Sequence, residues 1–145
     1  MMRMVPPEAV LDIDVWTLAR TIYGEARGEP REGRIAVAWV ILNRTRKRRR
    51  GRTIVEVCHA PAQFSCWNRS ALGRAKIESL TLDNDPERPA LLHCLEATLA
   101  VLCGREGDPT GGATHYHAHD VRPSWARGRE PSARIGRHSF YSDIP

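Results

Sequence analysis

Between Asp12 and Ala26 the apolar residues Trp16, Ala19, Ile22, Tyr23 and Ala26 recur at helical spacing, which predicts an amphipathic helix. Asp12 or Asp14 is placed to cap it, Gly24 interrupts it near its end, and Gly28 with Pro30 stops it. A second helix is expected from about Glu32. Its stretch Ile35-Ala36-Val37-Ala38-Trp39-Val40-Ile41-Leu42 is apolar on every side, so it should lie buried at the centre. The bases after Asn43 then fall in its last turn, where the helix dipole favours cations, and in the solvent beyond. Thr53 to His59 reads as a short helix, followed by an irregular segment from Pro61 to Asn68. A third long helix should begin near Pro86 or Pro89 and end before Gly104, with Leu91, Leu92, Leu95, Leu99 and Leu102 as its apolar stripe. Beyond the turn Gly104 to Gly112, Ala113 to Ala118 is rich in β-formers and aromatics and reads as a strand. Ser139-Phe140-Tyr141 is a second strand able to pair with it. The fold class expected is mainly α with a small β element. Residues 1–11, with Pro6-Pro7, form an N-terminal arm, and 12–145 form a single domain.

Composition modifies this picture in one respect. Of 22 Lys and Arg against 17 Asp and Glu, seven bases fall in the window Arg44 to Arg52, and the rest of the chain is slightly acidic. The net charge of +5 is thus local, which argues against a nucleic-acid partner; the run reads as a solvated helix end that draws the chain to an anionic polymer. No apolar run approaches the roughly 18 residues of a membrane span, and the N-terminus lacks a secretory apolar segment. Synthesis in the cytoplasm without a signal peptide and a monomeric state are the corresponding expectations. None of the four cysteines forms a C-x-x-C pair. Cys58 and Cys66 either bridge in an oxidising compartment or remain buried thiols, whereas Cys94 and Cys103, separated by roughly 13 Å of helix, are too far apart to bridge.

Three groups of residues could carry chemistry. Glu25 lies near a helix C-terminus between two glycines, where the dipole favours the protonated carboxyl that a general acid needs; it could equally be a surface glutamate paired with Arg20 or Arg27. His115, His117 and His119 would share one face of a strand and line a cleft, or bind a metal with Asp120. Gln63-Phe64-Ser65-Cys66-Trp67-Asn68 sets amides beside rings, a combination suited to sugars, although Phe64 and Trp67 could simply anchor the loop. Asn43-Arg44 reads as a helix cap or as a pair holding the site in place.

The motifs Tyr23-Gly24-Glu25-Ala26-Arg27-Gly28-Glu29, Gly33…Ala36-Val37-Ala38…Asn43-Arg44, Gln63-Phe64-Ser65-Cys66-Trp67, Gly112-Ala113-Thr114-His115-Tyr116-His117 and Ile135-Gly136-Arg137-His138-Ser139-Phe140-Tyr141 occur in that order. Together they resemble the SleB/CwlJ-type cell wall hydrolases, over nearly the whole chain from about Asp14 to Tyr141. The resemblance implies a lysozyme-like, lytic-transglycosylase-like domain that cuts peptidoglycan glycan strands at the MurNAc-GlcNAc bond, with Glu25 as the single catalytic acid/base and no metal or cofactor. Gln63, Phe64, Ser65, Tyr116, His117 and Tyr141 are then the candidate substrate-binding residues. A chain without the wall-binding repeat of the spore enzymes resembles the phage-type, catalytic-domain-only form, acting on the envelope. Two other readings compete: a His-dependent metal hydrolase or nuclease using His115, His117 and His119, and a non-catalytic wall-binding module.

Overall fold

The computed structural model describes residues 12–47, 49, 51–60, 64–68, 71–83 and 86–145. The expected N-terminal arm and Gln63 lie outside the described residues. The elements run α1 (Asp12–Ala26), α2 (Arg31–Arg46), α3 (Ile54–His59), α4 (Ser65–Asn68), α5 (Ala71–Glu78), α6 (Arg88–Leu102), β1 (His115–Ala118), a 3-10 turn (Ser124–Ala126), β2 (Ala133–Ile135) and β3 (His138–Tyr141). The architecture is mainly helical with one small sheet, as the sequence pattern indicates.

α2 is the central helix. From Ile35 to Arg44 every residue is buried, so both sides of the apolar run are covered. α1 and α6 pack on it and on each other. Gly24 does not break α1, which continues to Ala26. The glycine is required for packing instead: a Cβ there would stand 2.5 Å from Cys66 Cβ. α3 starts on a capping box, with Thr53 Oγ1 accepting from the Glu56 amide at 3.1 Å and Glu56 Oε1 from the Thr53 amide at 3.1 Å.

The buried face of α6 takes only Leu91 and Leu102 from the leucine stripe. Leu92 is 41% and Leu99 38% exposed, while Leu91, Cys94, Ala97, Thr98 and Val101 face the core. Small residues at Cys94, Ala97 and Thr98 let α6 come close to α1 and α2, and close approach outweighs residue hydrophobicity in choosing the face. Cys58, Cys66 and Cys94 are buried and Cys103 is exposed, and Cys58 and Cys66 are thiols of the core. Among the described residues no helix is long and apolar enough to cross a membrane.

The sheet is antiparallel in the order β1-β3-β2. Tyr116 pairs with Phe140, which pairs with Ala133, and this row faces inward. There Phe140 and Ile135 join Ala36 and Val40 of α2 in a second small core. The opposite face carries His115 beside Tyr141, and the row His117, Ser139 and Arg134. β2 and β3 are joined by the two-residue turn Gly136-Arg137, in which Gly136 has φ +57° and approaches Glu29 so closely that a Cβ would stand 2.5 Å from Glu29 Oε1.

Candidate active site

α1 ends at the inner face of the sheet, and this brings Glu25 to β1. Glu25 is half-buried, and its Oε1 accepts a hydrogen bond from the Tyr116 hydroxyl at 2.8 Å across 91 residues of sequence. Burial, together with the facing carboxyl of Glu25, pushes the Tyr116 phenol well above its ordinary pKa. The phenol therefore stays protonated at neutral pH and acts on Glu25 as a donor. The arginines considered as surface partners of Glu25 turn elsewhere. Arg20 donates to the Leu80 carbonyl at 3.0 and 3.3 Å, and Arg27 lies over the Tyr23 ring at 4.7 Å.

A recess of about 230 Å³ opens beside Glu25, lined also by Ala118, His119, Asp120, Arg137 and His138. A second carboxyl in the same motif, Glu29, lines it too but is committed to the fold. Glu29 is 7% exposed; its Oε1 accepts from the Arg137 amide at 2.8 Å and its Oε2 from Arg137 Nε at 3.4 Å, with His138 Nδ1 3.6 Å away. Burial alone would raise its pKa, but the Arg137 amide, His138 and the Arg137 guanidinium outweigh burial and hold it below the ordinary value. Glu29 is thus an anion that ties the α1–α2 connection to the β2–β3 turn. Two glutamates four residues apart have separate environments, one open to the recess and one locked.

Asn43 and Arg44 take the supporting role expected for them. Asn43 Nδ2 donates to Asp108 Oδ2 and to the Ala113 carbonyl, both at 2.9 Å, and Arg44 Nε donates to the Thr114 carbonyl at 2.7 Å. Asp108 in turn accepts from the Thr110 and Gly112 amides at 2.8 and 3.0 Å. The buried end of α2 therefore sets the start of β1, and β1 sets the position of Tyr116. This corrects the reading of the basic run as simply solvated: Arg44 is 5% exposed and lies 5.1 Å over the Phe64 ring, and Arg49 binds the carbonyls of Ile144 and Pro145.

The remaining candidates separate. Phe64 is 1% exposed beneath Arg44, so it anchors the core and has no open face for a sugar. Ser65 begins α4, and Trp67, 4% exposed, donates to Thr21 Oγ1 at 2.7 Å. His117 and Tyr141 lie on the outer face of the sheet, joined through Nε2 and the hydroxyl at 3.0 Å, with Trp125 against both rings. His115 also packs edge-on against Trp125, and His119 lies past the end of β1. The three histidines therefore do not share one strand face. Among the described residues no three His, Cys, Asp or Glu side chains converge as metal donors. Residues that sequence reasoning passed over are Arg137 and His138, which line the recess from a turn whose only local signal was its glycine, and Asp120, considered only as a metal ligand.

A family model described as Cell Wall Hydrolase matches residues 28–141, beginning three residues past Glu25. The spore cortex-lytic enzyme of Halalkalibacterium halodurans is 36% identical over 135 residues, covering 92% of this chain and 36% of that protein. The spore cortex-lytic enzyme of Bacillus subtilis is 34% identical over 128 residues, covering 88% of this chain and 37% of that one. The chain thus spans little more than a third of the length of these two relatives. The catalytic domain of the germination-specific lytic transglycosylase SleB from Bacillus anthracis superposes with a TM-score of 0.72 at 30% identity, covering 93% of this chain and 98% of that domain. The SleB catalytic domain of Bacillus cereus gives 0.72 at 32% identity, covering 93% and 94%. The order of elements, the motifs and these matches lead to one conclusion: the chain belongs to the cell wall hydrolase family.

Proposed function

We propose that this chain cleaves the glycan strands of peptidoglycan, with Glu25 as general acid and then general base. The observation that carries the reading is the half-buried Glu25 carboxyl at the edge of an open recess, held by the Tyr116 hydroxyl at 2.8 Å. The relatives' names, spore cortex-lytic enzyme and lytic transglycosylase, supply the substrate class and the reaction. In the first step the protonated carboxyl gives its proton to the glycosidic oxygen between MurNAc and GlcNAc, and that C–O bond breaks. The carboxylate left behind then takes the proton from the muramoyl 6-hydroxyl, whose oxygen closes on C1 to give a 1,6-anhydro end. The tyrosine supports the first step, because its hydroxyl donates to the carboxylate that this step creates and stabilises it.

One observation favours a second outcome at the same site. Asp120 is exposed and lines the recess with Glu25, so a second carboxyl is available to activate a water, as a hydrolytic glycosidase requires. Mass spectrometry of fragments released from purified sacculi separates the two: anhydro ends indicate transglycosylation, and reducing ends one water heavier indicate hydrolysis. Glu25→Gln should abolish release altogether with an unchanged melting curve. Undiminished release by that variant refutes the assignment of Glu25.

A further inference from the structure

A cleft lies on the outer face of the sheet, away from Glu25. It has a volume of about 650 Å³ and is lined by His117, Ser139 and Tyr141 from the strands and by the loop that follows β1. Five arginines border it: Arg122, Arg127, Arg129, Arg134 and Arg137. None of its lining residues is acidic. Arg129 is partly neutralised by Asp143 at 3.5 Å, and Arg137 by Glu29. Arg122, Arg127 and Arg134 are exposed and have no side-chain hydrogen bond or ion pair among the described residues. Unpaired guanidinium groups around a concavity raise its potential and favour anions such as carboxylates and phosphates.

The cleft adjoins the Glu25 recess. His119, Arg137 and His138 line both, so the two spaces share a wall at the end of the sheet where β1 finishes and β2 turns into β3. Charge differs across that wall, with the carboxyls of Glu25, Glu29 and Asp120 on one side, Arg122, Arg127, Arg129 and Arg134 on the other, and Arg137 between them. An anion held in the cleft by a strand being cut at Glu25 must be attached close to the broken bond. In peptidoglycan the peptide stem meets this condition, because it branches from the muramoyl unit on one side of that bond and carries free carboxylates. Phosphodiester polymers, attached to only some of the sugars, do not meet it at every cut.

We propose that the arginine-lined cleft binds the carboxylates of the peptide stem next to the cleaved bond, so that the chain prefers peptide-bearing, anionic strands. This assignment rests on the glycan-cleaving reading of Glu25 for its geometry. Its energetic basis is a set of exposed Arg–carboxylate contacts, individually weak, which together correspond to about tenfold in affinity.

The test uses sacculi stripped of phosphodiester polymers with hydrofluoric acid, either left with free carboxylates or capped as methylamides with carbodiimide and methylamine. The wild-type chain should turn over the capped sacculi with a KM raised about tenfold and kcat little changed. The triple variant Arg122→Ala, Arg127→Ala, Arg134→Ala should treat both substrates alike, at the wild type's capped level, and its melting curve should match the wild type's because all three side chains are exposed and unpaired. Co-sedimentation of Glu25→Gln with the two sacculi, with and without the triple substitution, reads binding without cleavage and should show the same tenfold dependence. If the wild type cleaves neither substrate, the reading of Glu25 fails and co-sedimentation still decides the cleft. A triple variant that keeps the preference for free carboxylates overturns the proposal. So does equal wild-type binding to capped and uncapped sacculi, or an arginine-dependent gain seen only before hydrofluoric acid treatment, which would assign the cleft to phosphodiesters.

Discussion

Replacing Glu29 by alanine tests whether the second glutamate of the motif is a structural anion. The carboxylate is 7% exposed and joins the α1–α2 connection to the β2–β3 turn through the Arg137 amide, the Arg137 guanidinium and His138. Its ion pair contributes little by itself, about 0–1 kcal/mol, because the Arg137 side chain is 70% exposed. Leaving the Arg137 amide without its acceptor costs about 1–3 kcal/mol, and losing one buried methylene adds about 0.8 kcal/mol. The sum is about 3 kcal/mol, or roughly 10 °C in Tm for a chain of this size. Circular dichroism melts at pH 7 measure it. The folded-state pKa of Glu29 is depressed, so the charge contributes stability above the unfolded glutamate value and ceases to do so as pH falls through the folded one. Glu29→Gln, which retains an acceptor but no charge, should therefore melt below wild type at pH 7 and converge with it below about pH 4. A Glu29→Ala Tm within 1–2 °C of wild type, or a gap between wild type and Glu29→Gln unchanged down to pH 3, would refute the reasoning.

Three further outcomes are expected. Tyr116→Phe removes the donor to Glu25 but keeps the ring against Phe140, so kcat should fall about tenfold, the equivalent of a 1.4 kcal/mol loss, with KM little changed; unchanged kcat would mean that the hydroxyl has no part in turnover. Gly24→Ala sets a methyl 2.5 Å from Cys66 Cβ and should destabilise by about 1–3 kcal/mol despite alanine's better helix propensity; the penalty should largely vanish in a Cys66→Gly background, and additivity of the two in denaturant melts would count against the contact. Arg44→Ala should cost about 2–4 kcal/mol in the same assay, because it strips the Thr114 carbonyl and the Phe64 ring of a buried partner, whereas Lys47→Ala should fall within about 0.5 kcal/mol of wild type and lower only salt-sensitive binding to sacculi.

Much of the fold was legible in the linear pattern, for reasons that vary by element. The eight-residue apolar run of α2 can be satisfied only by burial on all sides, and the structure buries it so. β1 and β3 were visible as short runs of β-formers, and they pair in antiparallel register. β2 was not visible: Ala133-Arg134-Ile135 is three residues long, and the edge of the sheet rather than its own propensity makes it a strand. α5 leaves little trace in the pattern because Ala71–Glu78 is only about two turns long, too short to establish a repeat. The α6 face departs from its leucine stripe at Leu92 and Leu99, because the neighbouring helices take the small side chains Cys94, Ala97 and Thr98 instead.

For the candidate site, the sequence by itself marked Glu25 and the Tyr116 segment as notable, the first near the end of a predicted helix and the second within a predicted strand. It also determined that the positive charge was concentrated in one run. Only the tertiary structure decided that Tyr116 reaches Glu25, that Glu29 is locked by the Arg137 turn, that Arg44 is a buried strut while other bases remain outside, and that a separate ring of arginines surrounds a cleft beyond the sheet. The physical reason is the same in each case. Periodicity reports how much of a residue must be buried and on which face, because that depends on neighbours within a few positions. Which group stands opposite it depends on how elements about 90 residues apart come to pack, as with the 91 residues between Glu25 and Tyr116, and no local pattern encodes that distance.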